Sequence, residues 1–405
     1  MMTSLHEPKP TSTHILHLTR LNKLICPLAV LLLLVSCEHD DDPAVVLPAK
    51  TVLVYMVADN NLSSNAETNL DSLLAGVARY GTDGNLLVYL DNAQGLPQLL
   101  RLSRNAAGVA SNETVKTYAE QNSVSPAVMA SVLNDMTTLY PAQSYGLVLW
   151  SHGYGWLPGP GNTKTIATRW FGQDGSNYMD IADLAAALAT VPKFDYILFD
   201  ACFMAGVEVA CELRSYADYL VASPAEVLAQ GFPYSALTPY LFGSGETNSM
   251  QLASTYFNWY NGQTGKLRSA AVSCVKLSEM ENLATATRAL FSVSLPALNA
   301  FDASQVQYLD SYSPHLFYDF AHFTSAFAAT PEYTGLAAQL ERTVIYYACT
   351  PTITTVNAQG SVSLITPVSF GGIGCYIPQQ ENASRNSSFQ LSAWYTAAGW
   401  KLTNW

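Results

Sequence analysis

The sequence has few charged residues, and basic residues are the scarcer kind. Charged side chains make up 12% of the 405 residues, with 19 lysines and arginines against 31 aspartates and glutamates, for a formal net charge of −12. Nucleic-acid binding depends on basic patches that neutralise phosphates, so nucleic acid is not an expected partner. Hydrophobic residues make up 49%, which predicts a globular chain with a substantial core.

The usual motifs for metal, redox and phosphate binding are missing. No two of the seven cysteines are spaced as C-x-x-C, a spacing found in common zinc and redox sites. Of seven histidines, only His39, His152, His315 and His322 follow the N-terminal segment, so a histidine-based metal site is not expected. The glycine- and proline-rich stretch 153–161 lacks the Gly-Lys-Ser/Thr ending of a phosphate-binding loop.

The N-terminal apolar run, residues 24–35, is too short to cross a membrane as a mature helix. It follows basic residues, as the hydrophobic region of a secretory signal does. The run ends in LVSC, which resembles a bacterial lipobox, where the peptide is cut before the cysteine and the cysteine is lipidated. We expect residues 1–36 to be a lipoprotein signal peptide and Cys37 to be the lipidation site. The alternatives are a plain signal and a single anchor helix.

A short acidic segment, EHDDDP, follows the predicted lipid site at residues 38–43. It resembles the surface-export signal of lipoproteins in some Gram-negative anaerobes, and an ordinary solvated tether is the alternative. We expect residues 37–49 to be an acidic tether. The protein is then an exported lipoprotein of the outer membrane, displayed at the cell surface and held to the membrane by its lipid anchor.

The rest of the chain alternates short apolar runs with helical patterns. The predicted strands are 51–58, 85–90, 145–150, 194–199, 219–222 and 270–277, and the predicted helices are 65–80, 125–139, 181–189 and 203–215. This alternation predicts an α/β fold with a mostly parallel central sheet and helices on both faces. A hairpin insertion is expected over 98–117. The alternation decays near residue 295, which favours a C-terminal subdomain, 295–405, packed on the sheet.

Two of the apolar runs end in residues suited to nucleophilic chemistry. One ends WSHG and carries His152, and the other ends FDAC and carries Cys202. Ligands gather at the carboxyl ends of parallel strands, so neighbouring strands would bring these two side chains together. The imidazole could then take the thiol proton and return it to a leaving amine. Each residue alone more often has a structural role, but the pair favours an enzyme.

The predicted helix 203–215 places Cys202 at a helix N-terminus. Unpaired N–H groups and a partial positive charge at that position lower the pKa of a thiol. The backbone N–H groups of Gly153 and Cys202 are expected to stabilise the oxyanion.

These motifs resemble those of the clostripain family of cysteine peptidases, which belongs to the caspase-like clan. The resemblance rests on LWSHGYGW and on FDACFMAGVEVACELRSYADYLVASPAE, with a similar first strand and turn, YMVADNNL. FYDFAHF and FGGIGCYIP are looser matches, and the resemblance spans roughly residues 50 to 400. It implies a caspase-like peptidase domain over 50–294 and a cysteine endopeptidase whose dyad is His152 and Cys202.

The resemblance also implies a specificity pocket for arginine or lysine. The family's pocket acid lies two residues before the nucleophile, which here is Asp200, and a carboxylate selects a cation through a charge-assisted hydrogen bond. The alternative is that Asp200 caps the following helix. Glu226 is expected as a second acid. The sequence VLAQ after it departs from the more polar family pattern, which leaves the choice between arginine and lysine open.

The family further implies self-cleavage between the two motifs, where Lys164 and Arg169 are the candidate sites. The chemistry requires no cofactor, although calcium is possible from the family and Asp174 and Asp180 are the acids that could contact it. The expected partners are peptides or proteins with arginine or lysine at the cleavage site. Two other hypotheses stay open: a catalytically silent surface binding lipoprotein, and a cysteine hydrolase with a non-peptide substrate.

Overall fold

In the computed structural model, strands and helices follow one another through residues 47–157, 170–357 and 359–405, which are the residues that the structure describes. The strands are β1 Lys50–Ala58, β2 Asn85–Asn92, β3 Gln98–Arg104, β4 Ala110–Thr117, β5 Ser144–Trp150, β6 Trp170–Asp174, β7 Asn177–Asp180, β8 Phe194–Asp200, β9 Ala217–Ala222, β10 Ala271–Lys276, β11 Tyr318–Asp319, β12 Val344–Cys349, β13 Ile353–Val356, β14 Val362–Ile365 and β15 Gly374–Cys375. The helices are α1 Ser63–Tyr80, α2 Pro126–Leu139, α3 Ile181–Leu188, α4 Val207–Leu213, α5 Tyr234–Leu241, α6 Gly245–Asn261, α7 Met280–Asn299, α8 Phe320–Ser325, α9 Pro331–Thr343, α10 Ala383–Phe389 and α11 Ala393–Ala397. None of these helices is long and apolar enough to span a bilayer.

Nine of the described strands form one central sheet in the order β12-β10-β9-β8-β5-β1-β2-β3-β4. The five central strands, from β9 to β2 in that order, are parallel. Two further strands are added at each edge by antiparallel pairing. The predicted α/β architecture with a mostly parallel sheet is confirmed. The predicted hairpin insertion is the pair β3–β4, which extends the sheet.

Helices cover both faces of the sheet. Every residue of β1 is buried, because a strand between two helical layers has no face open to water. The first core lies against α2, α3, α4 and α7 and includes Met129 and Leu290. The second core lies against α1, α5 and α6 and includes Leu73 and Tyr256. The central sheet therefore separates two apolar layers.

The C-terminal part of the chain is integrated with this sheet. β12 pairs with β10 and forms one sheet edge. Trp394 and Trp400 are buried in the first core, and Leu47–Trp405 form one compact unit. The region predicted as a C-terminal subdomain thus shares its apolar core with the residues before it.

Candidate active site

The two sequence motifs meet at the carboxyl edge of the sheet. β5 and β8 are parallel neighbours, and Trp150 is in register with Asp200. His152 and Cys202 each lie two residues beyond that pair, and both line a cavity of about 620 Å³. The register of the two strands therefore brings both residues to one cavity.

Gly153 allows the two motif segments to approach closely. A Cβ atom at this position would lie 2.8 Å from the carbonyl oxygen of Cys202 and 2.9 Å from the Cβ of Ala201. Gly153 and Phe171 face each other in an isolated antiparallel β-bridge. The hydrogen bonds of this bridge are formed by the residues on either side of these two. The N–H of Gly153 itself donates to no group in the described part of the chain. An unpaired N–H is the kind of donor that the predicted oxyanion role requires.

The imidazole of His152 is held by an asparagine that the sequence reasoning did not assign to the site. Its Nε2 lies 2.7 Å from Oδ1 of Asn61, which follows β1. An amide oxygen only accepts hydrogen bonds, so this contact favours the neutral tautomer that carries its proton on Nε2 and leaves Nδ1 as the basic nitrogen. Burial lowers the pKa of His152, which favours the neutral ring. Because β1 is the neighbour of β5, the strand-end rule that selected His152 could also have selected Asn61.

The predicted position of Cys202 at a helix N-terminus is wrong. Helix α4 begins at Val207, and the intervening residues pair with another segment. The N–H of Phe203 donates to the carbonyl of Ala225, and Phe203 has a φ of 62°. These tertiary hydrogen bonds replace the first turns of the predicted helix 203–215. The thiol therefore lies outside the field of the helix terminus.

The thiol of Cys202 is instead half-buried in the cavity wall. Burial, with a smaller effect from the charge of Glu226, raises its pKa to about 12. The N–H of Val227 lies 3.4 Å from Sγ, and Sγ lies 3.7 Å from the carbonyl oxygen of Val227. In this state the imidazole contacts Asn61 and the thiol contacts Val227, and both side chains are neutral.

Asp200 is a buried carboxylate on the cavity wall. It is 4% exposed, and its Oδ2 accepts from the N–H of Phe232 at 2.8 Å and from the hydroxyl of Tyr234 at 2.9 Å. Burial raises its pKa to about 6. Phe232 lies in the segment between β9 and α5, and Tyr234 is the first residue of α5. The cap on α4 that was the alternative role is not formed, since α4 begins seven residues further on with Gly206 as its N-cap.

Glu226 lines the same cavity. Its Oε1 accepts from the hydroxyl of Thr355 at 2.9 Å and from the N–H of Val356 at 2.7 Å, both on β13. Burial raises its pKa to about 7. The structure thus places both predicted acids on the cavity and ties the second to the β13–β14 hairpin.

Other predicted residues lie elsewhere. Cys37, Lys164 and Arg169 are outside the described residues. Asp174 and Asp180 lie at opposite ends of the β6–β7 pair, where Asp174 accepts from the N–H of Ser123 and Asp180 caps α3. The structure does not bring these two acids together. Among the described residues, no group of three or more histidine, cysteine, aspartate or glutamate side chains is placed to hold a metal ion.

Comparisons with known proteins agree on one family. The model of the clostripain family matches residues 54–405. A crystal structure of a secreted C11 cysteine protease from Bacteroides thetaiotaomicron, in complex with an irreversible peptide inhibitor, has a TM-score of 0.79 at 31% identity, covering 87% of this chain and 99% of that one. An inactive zymogen C11 protease from Parabacteroides distasonis has a TM-score of 0.77 at 34% identity, covering 87% and 98%. No curated protein sequence matches significantly. The fold expected from the resemblance, caspase-like, is confirmed.

Proposed function

Because the chain belongs to the clostripain family and is a cysteine peptidase, we propose that it is an endopeptidase that cleaves peptide bonds after arginine or lysine. The observation that carries this proposal is Asp200, a buried carboxylate on the wall of the cavity that also contains Cys202. A buried carboxylate is costly unless a cation pairs with it. A basic side chain of the substrate supplies that cation and favours the ionised form.

The proposed reaction uses two side chains. Nδ1 of His152 takes the proton from the thiol of Cys202, and the sulfur attacks the scissile carbonyl carbon. The carbonyl oxygen becomes an anion that accepts hydrogen bonds from the N–H groups of Gly153 and Cys202. As this intermediate collapses, the imidazolium gives its proton to the leaving amine, and a thioester remains on sulfur. Water, deprotonated by the same imidazole, then hydrolyses the thioester and frees the thiol.

The contacts of the thiol define what must change before attack. The backbone of Val227 contacts Sγ on both its N–H and its carbonyl side. We infer that substrate entry moves the Glu226–Gly231 segment away from sulfur, so that thiol and imidazole can exchange the proton. Asp200 and Glu226 then face the positively charged side chain of the substrate.

Cleavage of a defined peptide library tests the proposed specificity. Purified mature protein is incubated with a mixture of peptides, and the cut sites are mapped by mass spectrometry. We expect arginine or lysine directly before the scissile bond, and no cleavage by Cys202→Ala or His152→Ala variants that retain the wild-type circular dichroism spectrum. Cuts without a basic residue at that position would contradict the specificity, and turnover by Cys202→Ala would contradict the mechanism.

We further propose that the chain is exported and anchored by a lipid on Cys37 and that it is processed after Lys164 or Arg169. The first proposal is supported by the LVSC box and by the description of a similar Bacteroides thetaiotaomicron protease as secreted. The second is supported by the description of the Parabacteroides distasonis relative as an inactive zymogen. Metabolic labelling with a tagged fatty acid tests the anchor, since the label should be lost in Cys37→Ala.

A further inference from the structure

A second wall of the active-site cavity is made of aromatic rings. Tyr154, Trp170, Phe203 and Tyr312 line the same cavity as Cys202; these four residues are called the aromatic wall. Tyr154 contacts the other three, with ring centroids 5.4 Å from Trp170, 5.9 Å from Phe203 and 5.5 Å from Tyr312. Trp170 and Phe203 are buried, whereas the two tyrosines are partly exposed. The tyrosines therefore present the accessible apolar surface.

The aromatic wall and the residues that hold Asp200 belong to opposite faces of the sheet. Phe203 is part of the first core, and Tyr154 and Tyr312 pack against that core. Phe232 and Tyr234, the residues that hold Asp200, belong to the second core. The cavity thus lies across the sheet edge, with a carboxylate towards one face and aromatic rings towards the other.

An extended peptide in this cavity would present its side chains to both faces in turn, because successive side chains of a strand point in opposite directions. A basic side chain at Asp200 places the side chain of an adjacent residue on the opposite side. We propose that the aromatic wall is a second specificity subsite, which binds an apolar or aromatic side chain next to the scissile basic residue. The position of this subsite relative to the scissile bond rests on the proposed function, which places the basic side chain at Asp200.

The chemistry of the aromatic wall supports that class of side chain. Burial raises the pKa of Tyr312 to about 12, so its hydroxyl is neutral at physiological pH. Aromatic faces bind apolar and aromatic groups through buried area and ring contacts. An acidic side chain would find no cationic partner among these four rings, and burying its charge against them is unfavourable.

The digest that maps the scissile residue also tests the subsite. We expect apolar or aromatic residues to be enriched directly before or directly after the basic residue. In matched peptides, phenylalanine or leucine at the enriched position should give kcat/KM at least about tenfold higher than aspartate or glycine. Tyr312→Ala and Tyr154→Ala should each reduce this ratio to about threefold or less while arginine or lysine is still required. Tyr312→Phe keeps the ring and should retain the ratio.

Tyr347→Ala is the matched control, since this tyrosine on β12 is 52% exposed and lies outside the cavity. It should leave both preferences unchanged. Equal cleavage whatever the adjacent residues, or an unchanged ratio in Tyr312→Ala, would overturn the subsite and leave the proposed function standing. Cuts at non-basic residues would overturn the proposed function, and the adjacent positions in the same digest would still decide the subsite.

Discussion

The burial of Asp200 disfavours its charged form and so links this carboxyl to the stability of the fold. Its folded-state pKa is about 6, above the ordinary value of 3.8, because burial disfavours the charge. The folded chain therefore binds this proton more tightly than the unfolded chain does, and stability is lost as pH rises from about 4 to about 6. A pKa shift of this size corresponds to a loss of roughly 3 kcal/mol in the free energy of unfolding. A site that binds a substrate cation explains why such a carboxylate would be retained.

Replacing Asp200 should raise the stability of the fold at neutral pH and lower the activity. In a Cys202→Ala background, Asp200→Asn should raise the free energy of unfolding by about 2–3 kcal/mol at pH 7.5 and have little effect at pH 4. In the active enzyme it should lower kcat/KM for arginine and lysine peptides about 10- to 150-fold. Urea denaturation and peptide kinetics give the two readouts. An unchanged free energy of unfolding at both pH values would show that the carboxyl is not strained by burial.

Asn61 is a positioning residue in the proposed mechanism. Asn61→Ala removes the acceptor on Nε2 and should lower kcat about 10- to 100-fold, because the ring loses its tautomer and orientation. Asn61→Asp keeps an acceptor and adds a negative charge, which raises the pKa of His152. It should retain more activity than Asn61→Ala, with the acidic limb of the kcat–pH profile moved to higher pH. A wild-type profile and kcat in Asn61→Ala would exclude this role.

At the scale of a single element, the segment between β9 and α5 shapes the pocket. It contains Val227, which contacts the thiol, and Phe232, which donates to Asp200. Gly231, between them, has a φ of +69°, and a Cβ there would lie 2.6 Å from Oδ2 of Asp200. Only glycine lets this backbone pass so close to the carboxylate.

Gly231→Ala should therefore damage the pocket more than the fold. We expect kcat/KM for basic substrates to fall at least about tenfold, because the added methyl group displaces the carboxylate. Gly265→Ala is the control, since Gly265 also has a positive φ, +57°, but no atom lies within 4 Å of its added Cβ. Both variants should lose about 1–2 kcal/mol of stability from the backbone conformation. Equal kinetics in the two variants would contradict the clash.

At the scale of the whole molecule, the parts of the chain before and after the segment proposed for processing belong to the same central sheet. β5 precedes residues 158–169 and β8 follows them, and the two strands are paired in the central sheet. Cleavage after Lys164 or Arg169 should therefore leave two chains joined by sheet hydrogen bonds and a shared core.

Mass spectrometry of purified protein tests this expectation. Wild-type protein should give two chains that end and begin at one of the two basic residues and that elute together in gel filtration. Cys202→Ala should remain one chain. Fully active wild-type protein with an uncut chain would show that processing is not needed.

Several features followed from the sequence alone. Continuous apolar runs require strands buried on both faces, so the parallel sheet and its helical layers could be predicted from periodicity. The strand-end rule then placed His152 and Cys202 on one edge, and their adjacency required only that β5 and β8 be neighbours. The family followed from the same two motifs and is confirmed.

Only the tertiary structure decided how the thiol of Cys202 is held. Local apolar spacing predicted a helix directly after Cys202, but Phe203 hydrogen-bonds to Ala225 and the helix begins at Val207. The contact of Asn61 with His152 joins residues 91 positions apart. The aromatic wall gathers rings from separate parts of the chain. Periodicity records which side chains are buried along one element, whereas these contacts depend on distant segments that compete for the same backbone groups and surfaces.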